Sequence, residues 1–130
     1  MDILLPTLAG IGRMLPVHDT AAPTNVGANW SVDPYTVPEG RVLALDSAMV
    51  VCFSGLVPVV QNIDLLDSAS VIQARLVREL PASVNSPTIV STTVWVVEGW
   101  LLRFQIGGGD ATTDMVWSFS GRLFDWMDVT

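Results

Sequence analysis

From residue 41 onward, short apolar runs alternate with glycine, proline, serine and asparagine. Runs of this length, rich in β-branched and aromatic residues and bounded by turn residues, are typical of β-strands. The pattern therefore predicts an all-β chain. Strands are predicted at residues 41–45, 48–53, 56–61, 70–80, 89–97, 100–106 and around 115–123.

Aromatic residues are concentrated in the last quarter of the chain, and most of them fall at every second position of a predicted strand. Alternate side chains of a strand point to opposite faces of a sheet, so these residues are predicted to share the inner face of a hairpin. Each large side chain that is fully buried there stabilises the fold by about 1.5–3 kcal/mol. The predicted core positions are Trp100, Leu102, Phe104, Ile106, Met115, Trp117, Phe119 and Leu123.

Three apolar residues of the same region do not fit the inner face. Trp95 alternates with Val94 and Val96, Leu101 lies beyond a turn or bulge at Glu98-Gly99, and Trp126 is near the C-terminus. Exposed apolar patches mark contact sites on proteins. We therefore expect Trp95, Leu101 and Trp126 to form an exterior contact patch.

The segment 70–80 is compatible with two structures. Ser70 and Gln73 have the spacing of a capping box, and Ile72, Leu76 and Leu80 lie on one face of a helix. Alternation in the same segment also fits a strand. Because predicted strands flank it at regular spacing, a strand is favoured.

Residues 1–38 differ from the rest in being rich in proline, glycine, threonine and asparagine. Proline lacks a backbone donor and interrupts regular elements, so this stretch is predicted to be an extended arm. The division is then an arm at 1–38 and, at 39–130, an antiparallel β-sandwich with a jelly-roll or immunoglobulin-like strand order. Candidate partner-binding residues are Leu4, Leu5, Leu8, Ile11 and Trp30, together with Trp95, Leu101 and Trp126.

The composition leaves little charge with which to cover a free monomer. Hydrophobic residues make up 50% of the chain and charged residues 15%, whereas a typical domain has about 25% charged residues. We infer that neighbouring copies or other proteins cover part of the surface, and we expect a homodimer or a higher oligomer. No apolar run approaches the roughly 18 residues of a membrane helix, and the N-terminus lacks the basic region of a signal peptide, so no membrane association is expected.

The cations of the chain are 6 arginines, against 13 acidic residues, for a net charge of -7. Nucleic-acid binding requires clustered cations, and these arginines are scattered, so no direct contact with nucleic acid is expected. Arginines on predicted strands are expected to pair with surplus carboxylates, within the chain or across an interface. These are Arg41, Arg75, Arg103 and Arg122.

Candidate catalytic and metal-binding residues are few. Cys52 is the only cysteine and lies in an apolar run, which predicts a buried structural thiol. His18 is the only histidine and is expected to be a solvated residue of the arm.

Two pairs of carboxylates are candidate sites. Asp110 and Asp114 lie in a glycine-rich loop that could hold Ca²⁺, but the loop lacks the acidic ladder of a calcium motif. Asp125 and Asp128 would form an acid-base pair only at a suitable separation. The chain is therefore predicted to be non-enzymatic, without a metal or cofactor.

The succession VPEGRVLALDS, IDLLDSASVIQARLV, VVEGWLLRFQI and FSGRLFDWMDV resembles the small all-β structural proteins of tailed bacteriophages. In those proteins a hairpin with a G-R-V-hydrophobic-L-D pattern, or a terminal immunoglobulin-like sandwich, recurs. The resemblance covers about residues 38–130. It implies a virion component, either a capsid cement or decoration protein or a head-tail joining or tail protein, and it carries no catalytic residue across.

The expected function is therefore to bridge and stabilise major capsid subunits, or other virion subunits, in a virion assembled in the host cytoplasm. A carbohydrate-binding β module is the alternative from another class. It would require Trp30, Trp95 or Trp126 to be exposed around a concave site.

Overall fold

The computed structural model describes residues 14–125. Within this range the chain forms strands and no helix. The strands are β1 (Leu15–Ala21), β2 (Asn29–Thr36), β3 (Arg41–Ser54), β4 (Val60–Leu66), β5 (Ile72–Glu79), β6 (Thr88–Val90), β7 (Val94–Val96), β8 (Leu101–Gly107) and β9 (Asp114–Asp125).

The strands form two antiparallel sheets packed as a sandwich. One sheet has the order β1-β9-β3-β6, with β7 also paired to β3, and the other has the order β2-β8-β4-β5. Since β6 and β7 both pair with β3, they act as one interrupted strand. When β6 and β7 are counted as one strand, β1 pairs with β9, β2 with β8, β3 with the β6–β7 strand, and β4 with β5. This is the strand order of a jelly roll, so the predicted sandwich is confirmed and its order is not immunoglobulin-like.

The core lies between the sheets and contains the predicted aromatic residues. Phe104 of β8 is fully buried, and its ring stacks at 5.5 Å on the ring of Trp117 in β9. Phe119 also stacks on Trp117, at 6.4 Å, and contacts Tyr35 at 5.6 Å. The aromatic content of the last quarter therefore serves mainly to connect the two sheets.

Several predicted strand boundaries were wrong. Residues 41–54 form the single strand β3, which carries a bulge between Leu45 and Ser47, and the predicted strand 89–97 is divided into β6 and β7. The strand predicted at 56–61 begins at Val60 and continues to Leu66. The part of this strand beyond residue 61 was missed because Gln61, Asn62 and Asp64 make the sequence polar there, although all three residues are buried.

Within the segment 70–80, Ile72–Glu79 form the strand β5, so the favoured strand is confirmed. Asp67 organises the turn before it, because its Oδ1 accepts hydrogen bonds from the backbone N–H groups of Ala69 (2.9 Å) and Val71 (3.0 Å). Ser70 has a φ of 61°, which lies in the left-handed region. It therefore takes part in a turn instead of capping a helix.

The predicted arm differs most from the structure. Strand β1 pairs with β9 and β2 pairs with β8, so residues 14–38 belong to the sandwich, whereas residues 1–13 lie outside the described residues. The prolines do not prevent pairing because they occupy permitted positions. Pro16 is in an edge strand, and Pro34 lies at the register shift between Val32 and Tyr35.

Candidate protein-interaction surfaces

The loops at one end of the sandwich are locked together around Thr113. Its hydroxyl donates to the carbonyl of Leu56 (2.7 Å) and accepts from the backbone N–H of Asp110 (2.9 Å). Its carbonyl accepts from the backbone N–H of Val26 (2.9 Å). Three loops, which follow β1, β3 and β8, are thereby held in fixed relative positions.

A close backbone approach at Gly55 contributes to the same arrangement. Gly55 has a φ of 80°, and a Cβ built there would overlap the carbonyl oxygen of Thr112. Glycine is required here both by conformation and by space.

We expect Gly55→Ala to lower the free energy of unfolding by more than about 2 kcal/mol, because left-handed strain of about 1–2 kcal/mol is added to a backbone clash. Gly40→Ala is the matched control, since Gly40 has a φ of 75° and nothing within 4 Å of its added Cβ. It should show the conformational cost alone. Urea denaturation of both variants measures the difference, and equal losses would contradict the role of the Gly55–Thr112 contact.

This end of the sandwich carries several exposed apolar side chains, which we name the loop-end patch. Backbone contacts bring their segments together, because the N–H of Asn85 donates to the carbonyl of Cys52 and Glu79 pairs with Gln61. The sequence prediction missed this surface because its members lie in separate loops and at strand ends. The patch consists of Phe53, Leu56, Val59, Leu80 and Val84.

A second apolar surface lies on the outer side of the sheet that contains β3, and we name it the Trp95 face. Trp95 is 48% exposed and contacts the ring of Phe124 at 5.9 Å. The guanidinium of Arg122 lies 5.7 Å from the centre of the same ring. Val42 and Ala44, which pair with Phe124 and Arg122 respectively, lie on the same side of the sheet and form a buried cluster with Phe124. Trp95 is therefore the exposed apolar side chain of this face.

The outer side of the other sheet is polar and carries a row of alternating charges. Arg103 donates to the carboxylate of Asp33 from Nε (2.6 Å) and Nη2 (2.8 Å). Arg75 binds Asp64 at 2.9 and 3.2 Å. Hydrogen bonding to these carboxylates raises the pKa of each arginine, so the row is internally neutralised.

The prediction that strand arginines pair with carboxylates is confirmed, and the partners lie within the chain. Besides the row on the polar sheet, Arg41 pairs with Asp125 at 2.9 Å and Arg122 with Asp46 at 2.9 Å. These four arginines are therefore not poised to bind a charged ligand.

The predicted contact patch is not brought together as one surface. Trp95 lies on β7 and Leu101 on β8, and these strands belong to different sheets because residues 97–100 cross the end of the sandwich. A hairpin was therefore the wrong interpretation of this region. Trp30 is half-buried against the core, and Leu4, Leu5, Leu8, Ile11 and Trp126 lie outside the described residues. Partner binding by these residues stays a prediction.

The structure describes the surroundings of four residues that were candidates for catalysis or metal binding. Cys52 is buried, as predicted, and its thiol donates to the carbonyl of Ser54 at 3.3 Å. His18 is exposed, but it lies on strand β1 and not in a loop. Asp110 accepts from Thr112, while Asp114 accepts from the N–H of Asn25 at 2.8 Å.

Within residues 14–125 there is no group of three or more His, Cys, Asp or Glu that could hold a metal ion. The same range contains no helix long and apolar enough to span a membrane.

Acid is expected to destabilise the fold through carboxylates that accept hydrogen bonds. The Arg122 guanidinium bound to Asp46 holds the pKa of that carboxyl below its ordinary value, and the backbone N–H of Val71 has the same effect on Asp67. Because the unfolded chain then binds more protons, this stabilisation is present above about pH 4 and is lost as the pH falls through the lowered pKa values. Thermal melting as a function of pH measures it.

Asp46→Asn should make the acid-side fall in melting temperature shallower, whereas Glu39→Gln should leave it unchanged, since Glu39 is exposed and makes no ion pair within residues 14–125. An Asp46→Asn profile parallel to that of the unaltered chain would contradict this assignment.

Comparisons with known proteins show no family. No protein-family model matches the sequence, and no curated protein matches it. Similar solved structures include the capsid asymmetric unit of cyanophage Pam1, at 13% identity and a TM-score of 0.49, with 86% of this chain and 84% of that chain covered. Others are Bacillus endospore appendage pili (10%, TM-score 0.36, coverage 89% and 93%) and infectious bursal disease virus strain Gx (8%, TM-score 0.34, coverage 91% and 33%).

Two of these three structures come from viruses. The likenesses define no family for this chain, and the function is argued below from its own residues.

Proposed function

We propose that this chain is a non-enzymatic structural component of a virion that packs against neighbouring capsid subunits, as a cement or decoration protein does. The observation that carries the proposal is the loop-end patch. Leu80 is 70% exposed and Val59 62% exposed. Val59 lies in one of the loops held by Thr113, and the backbone hydrogen bond from Asn85 to Cys52 ties the loop that begins with Leu80 to β3. A rigid apolar surface of this kind loses little conformational entropy when a protein partner covers it.

The distribution of charge supports docking to protein. Strand arginines are neutralised by carboxylates of the same chain, and charged residues are only 15% of the sequence. Depletion of charge at the centre of a contact is typical of protein interfaces. The partner is therefore expected to present an apolar surface and not a phosphate or a strongly charged ligand.

The strand order is compatible with a virion protein, and the sequence motifs select among the classes that share this order. Jelly rolls are used by viral capsid domains, and also by lectins and cupins, so the fold by itself does not select among these. The motif succession of residues 38–130 resembles phage structural proteins, which favours the virion. A dimer or higher oligomer of this chain belongs to the same proposal.

The test is binding to shells assembled from the major capsid protein of the virus that encodes this chain. Leu80→Glu combined with Val59→Glu places two charges in the loop-end patch at positions whose side chains are mostly exposed. We expect co-sedimentation affinity to fall at least about tenfold, which corresponds to about 1.4 kcal/mol.

Val71→Glu is the matched control, because Val71 is 54% exposed but lies in the turn before β5, at the opposite end of the sandwich. It should bind like the unaltered chain. Equal losses in both variants, or no binding by the unaltered chain, would overturn the proposed site or the proposed function respectively.

A carbohydrate-binding module is a second candidate, favoured by the half-exposed indole of Trp95. Titration with host-surface glycans should shift the tryptophan fluorescence if this candidate is correct. The virion proposal expects no shift.

A further inference from the structure

One buried side chain between the sheets is polar and reaches from one sheet to the other. Gln61 belongs to β4, in the sheet β2-β8-β4-β5, and is fully buried. Its Nε2 donates to the hydroxyl of Thr88 on β6 (2.9 Å) and makes longer contacts with the carbonyl oxygens of Val50 on β3 (3.4 Å) and Ser86 (3.3 Å). Thr88 and Val50 lie in the opposite sheet, and Ser86 lies in the loop 80–87.

The orientation of this amide is fixed by its partners. Two of the three are carbonyl oxygens, to which only the NH₂ group can donate. The Oε1 atom therefore points elsewhere, and it is buried without a hydrogen bond from residues 14–125. A buried amide with an unpaired oxygen costs free energy, so apolar side chains of the same sizes at positions 61 and 88 are expected to be at least as stable. Stability alone therefore does not explain Gln61.

The loop 80–87 joins β5 to β6 and carries two members of the loop-end patch. Those two, Leu80 and Val84, are exposed, so burial of apolar side chains contributes little to fixing the loop. Hydrogen bonds hold it instead. The backbone N–H of Asn85 donates to the carbonyl of Cys52 at 2.7 Å, and the buried amide binds the residues that follow.

We propose that Gln61 is the positioning residue of the loop-end patch, because its amide holds the loop 80–87 in the conformation that presents Leu80 and Val84. Buried polar groups specify one arrangement of the chain even where they add no stability. A surface that is already ordered loses less conformational entropy when a partner covers it. The hold on the loop is independent of the virion role, whereas its value for docking rests on the proposed function.

The test is amide hydrogen exchange, followed by NMR in the full-length protein, for Gln61→Met combined with Thr88→Val. These replacements have similar sizes and remove the amide and the hydroxyl together. The amide of Asn85 should exchange about tenfold faster, because the loop opens more often once these hydrogen bonds are lost. The amide of Val26, which binds the carbonyl of Thr113 at the same end of the sandwich, should exchange as before. The melting temperature should be equal or higher.

Gln105→Met combined with Thr36→Val is the matched control, because it makes the same replacements at a half-buried and an exposed position. It should leave the exchange of the Asn85 amide unchanged. Thr88→Ser keeps the hydroxyl and should have the same outcome. Thr88→Val alone replaces the double variant if that variant does not fold, and it should accelerate exchange in the same direction by a smaller factor.

Unchanged exchange at Asn85 would overturn the proposal. A lower melting temperature, with the amides of Asn85 and Val26 exchanging faster together, would also overturn it, because Gln61 would then serve stability alone. In co-sedimentation with capsid shells, the variant altered at positions 61 and 88 should bind more weakly than the variant altered at positions 105 and 36, and equal binding would overturn the role in docking. Absence of binding by the unaltered chain would overturn the proposed function and leave the exchange result unaffected.

Discussion

Phe104→Ala is expected to lower the free energy of unfolding by about 3–5 kcal/mol, the range for an aromatic residue removed from a packed core. Phe104 is fully buried at the centre of the sandwich and stacks on Trp117, which in turn stacks on Phe119. Its removal therefore leaves a cavity between the sheets and removes the ring contact with Trp117. Since domains have about 5–15 kcal/mol of stability in total, the variant should be partly unfolded at moderate urea concentrations.

Phe53→Ala is the matched control for this prediction. Phe53 is 39% exposed and belongs to the loop-end patch, so its truncation should cost about 1 kcal/mol or less. Equilibrium urea denaturation followed by tryptophan fluorescence measures both values. Comparable losses would mean that the core does not depend on the stacked aromatics.

Deletion of residues 2–21 is expected to abolish most of the stability and to cost far more than deletion of residues 2–13, which leaves β1 in place. The longer deletion removes β1, whose residues pair along β9 from Leu15–Leu123 to Ala21–Trp117, and it also removes Val17 from the core cluster. It thereby leaves β9, a central strand, with an unpaired edge.

The shorter deletion is the control, because it ends before β1 and keeps every described strand. Circular dichroism and the melting temperatures of the two variants measure the difference. Equal destabilisation by the two deletions would contradict the assignment of β1 to the sandwich, and it would show that residues 2–13 are needed for folding.

The sequence predicted the fold class and the core because strict alternation marks strands with one solvated face. β8 and β9 both alternate between buried and half-buried positions, and their sequences show the same alternation of apolar and polar residues. β4 lacks it, because Gln61 and Asp64 are buried through tertiary contacts, Gln61 with Thr88 at 2.9 Å and Asp64 with Arg75. The sequence around β4 does not show these partners, because they lie on other strands.

The contact surfaces were harder to predict for the same reason. Trp95 and Leu101 are close in sequence, but the chain passes from one sheet to the other between them. The alternation of apolar and polar residues does not show where the chain changes sheet. The loop-end patch is the reverse case, since Phe53 and Leu80 are distant in sequence and reach the same end of the sandwich only through backbone contacts such as Asn85 to Cys52. Proline content misled the prediction for β1 and β2, because edge strands and bulges accept proline.

The division of surfaces gives the protein distinct sides. One sheet presents a row of paired charges, the opposite sheet presents the exposed indole of Trp95 near the Arg122–Asp46 pair, and one end presents the loop-end patch. Such an arrangement suits a subunit held in place by neighbours on some sides and exposed to solvent on another.

The most direct test of the proposed virion role is quantitative mass spectrometry of virus particles purified from the source of this chain. We expect this polypeptide in a fixed ratio to the major capsid protein, retained through washing at high salt because apolar contacts are not screened by ions. Particles that lack the polypeptide, or that lose it completely when salt is raised, would contradict a shell component docked through apolar surfaces.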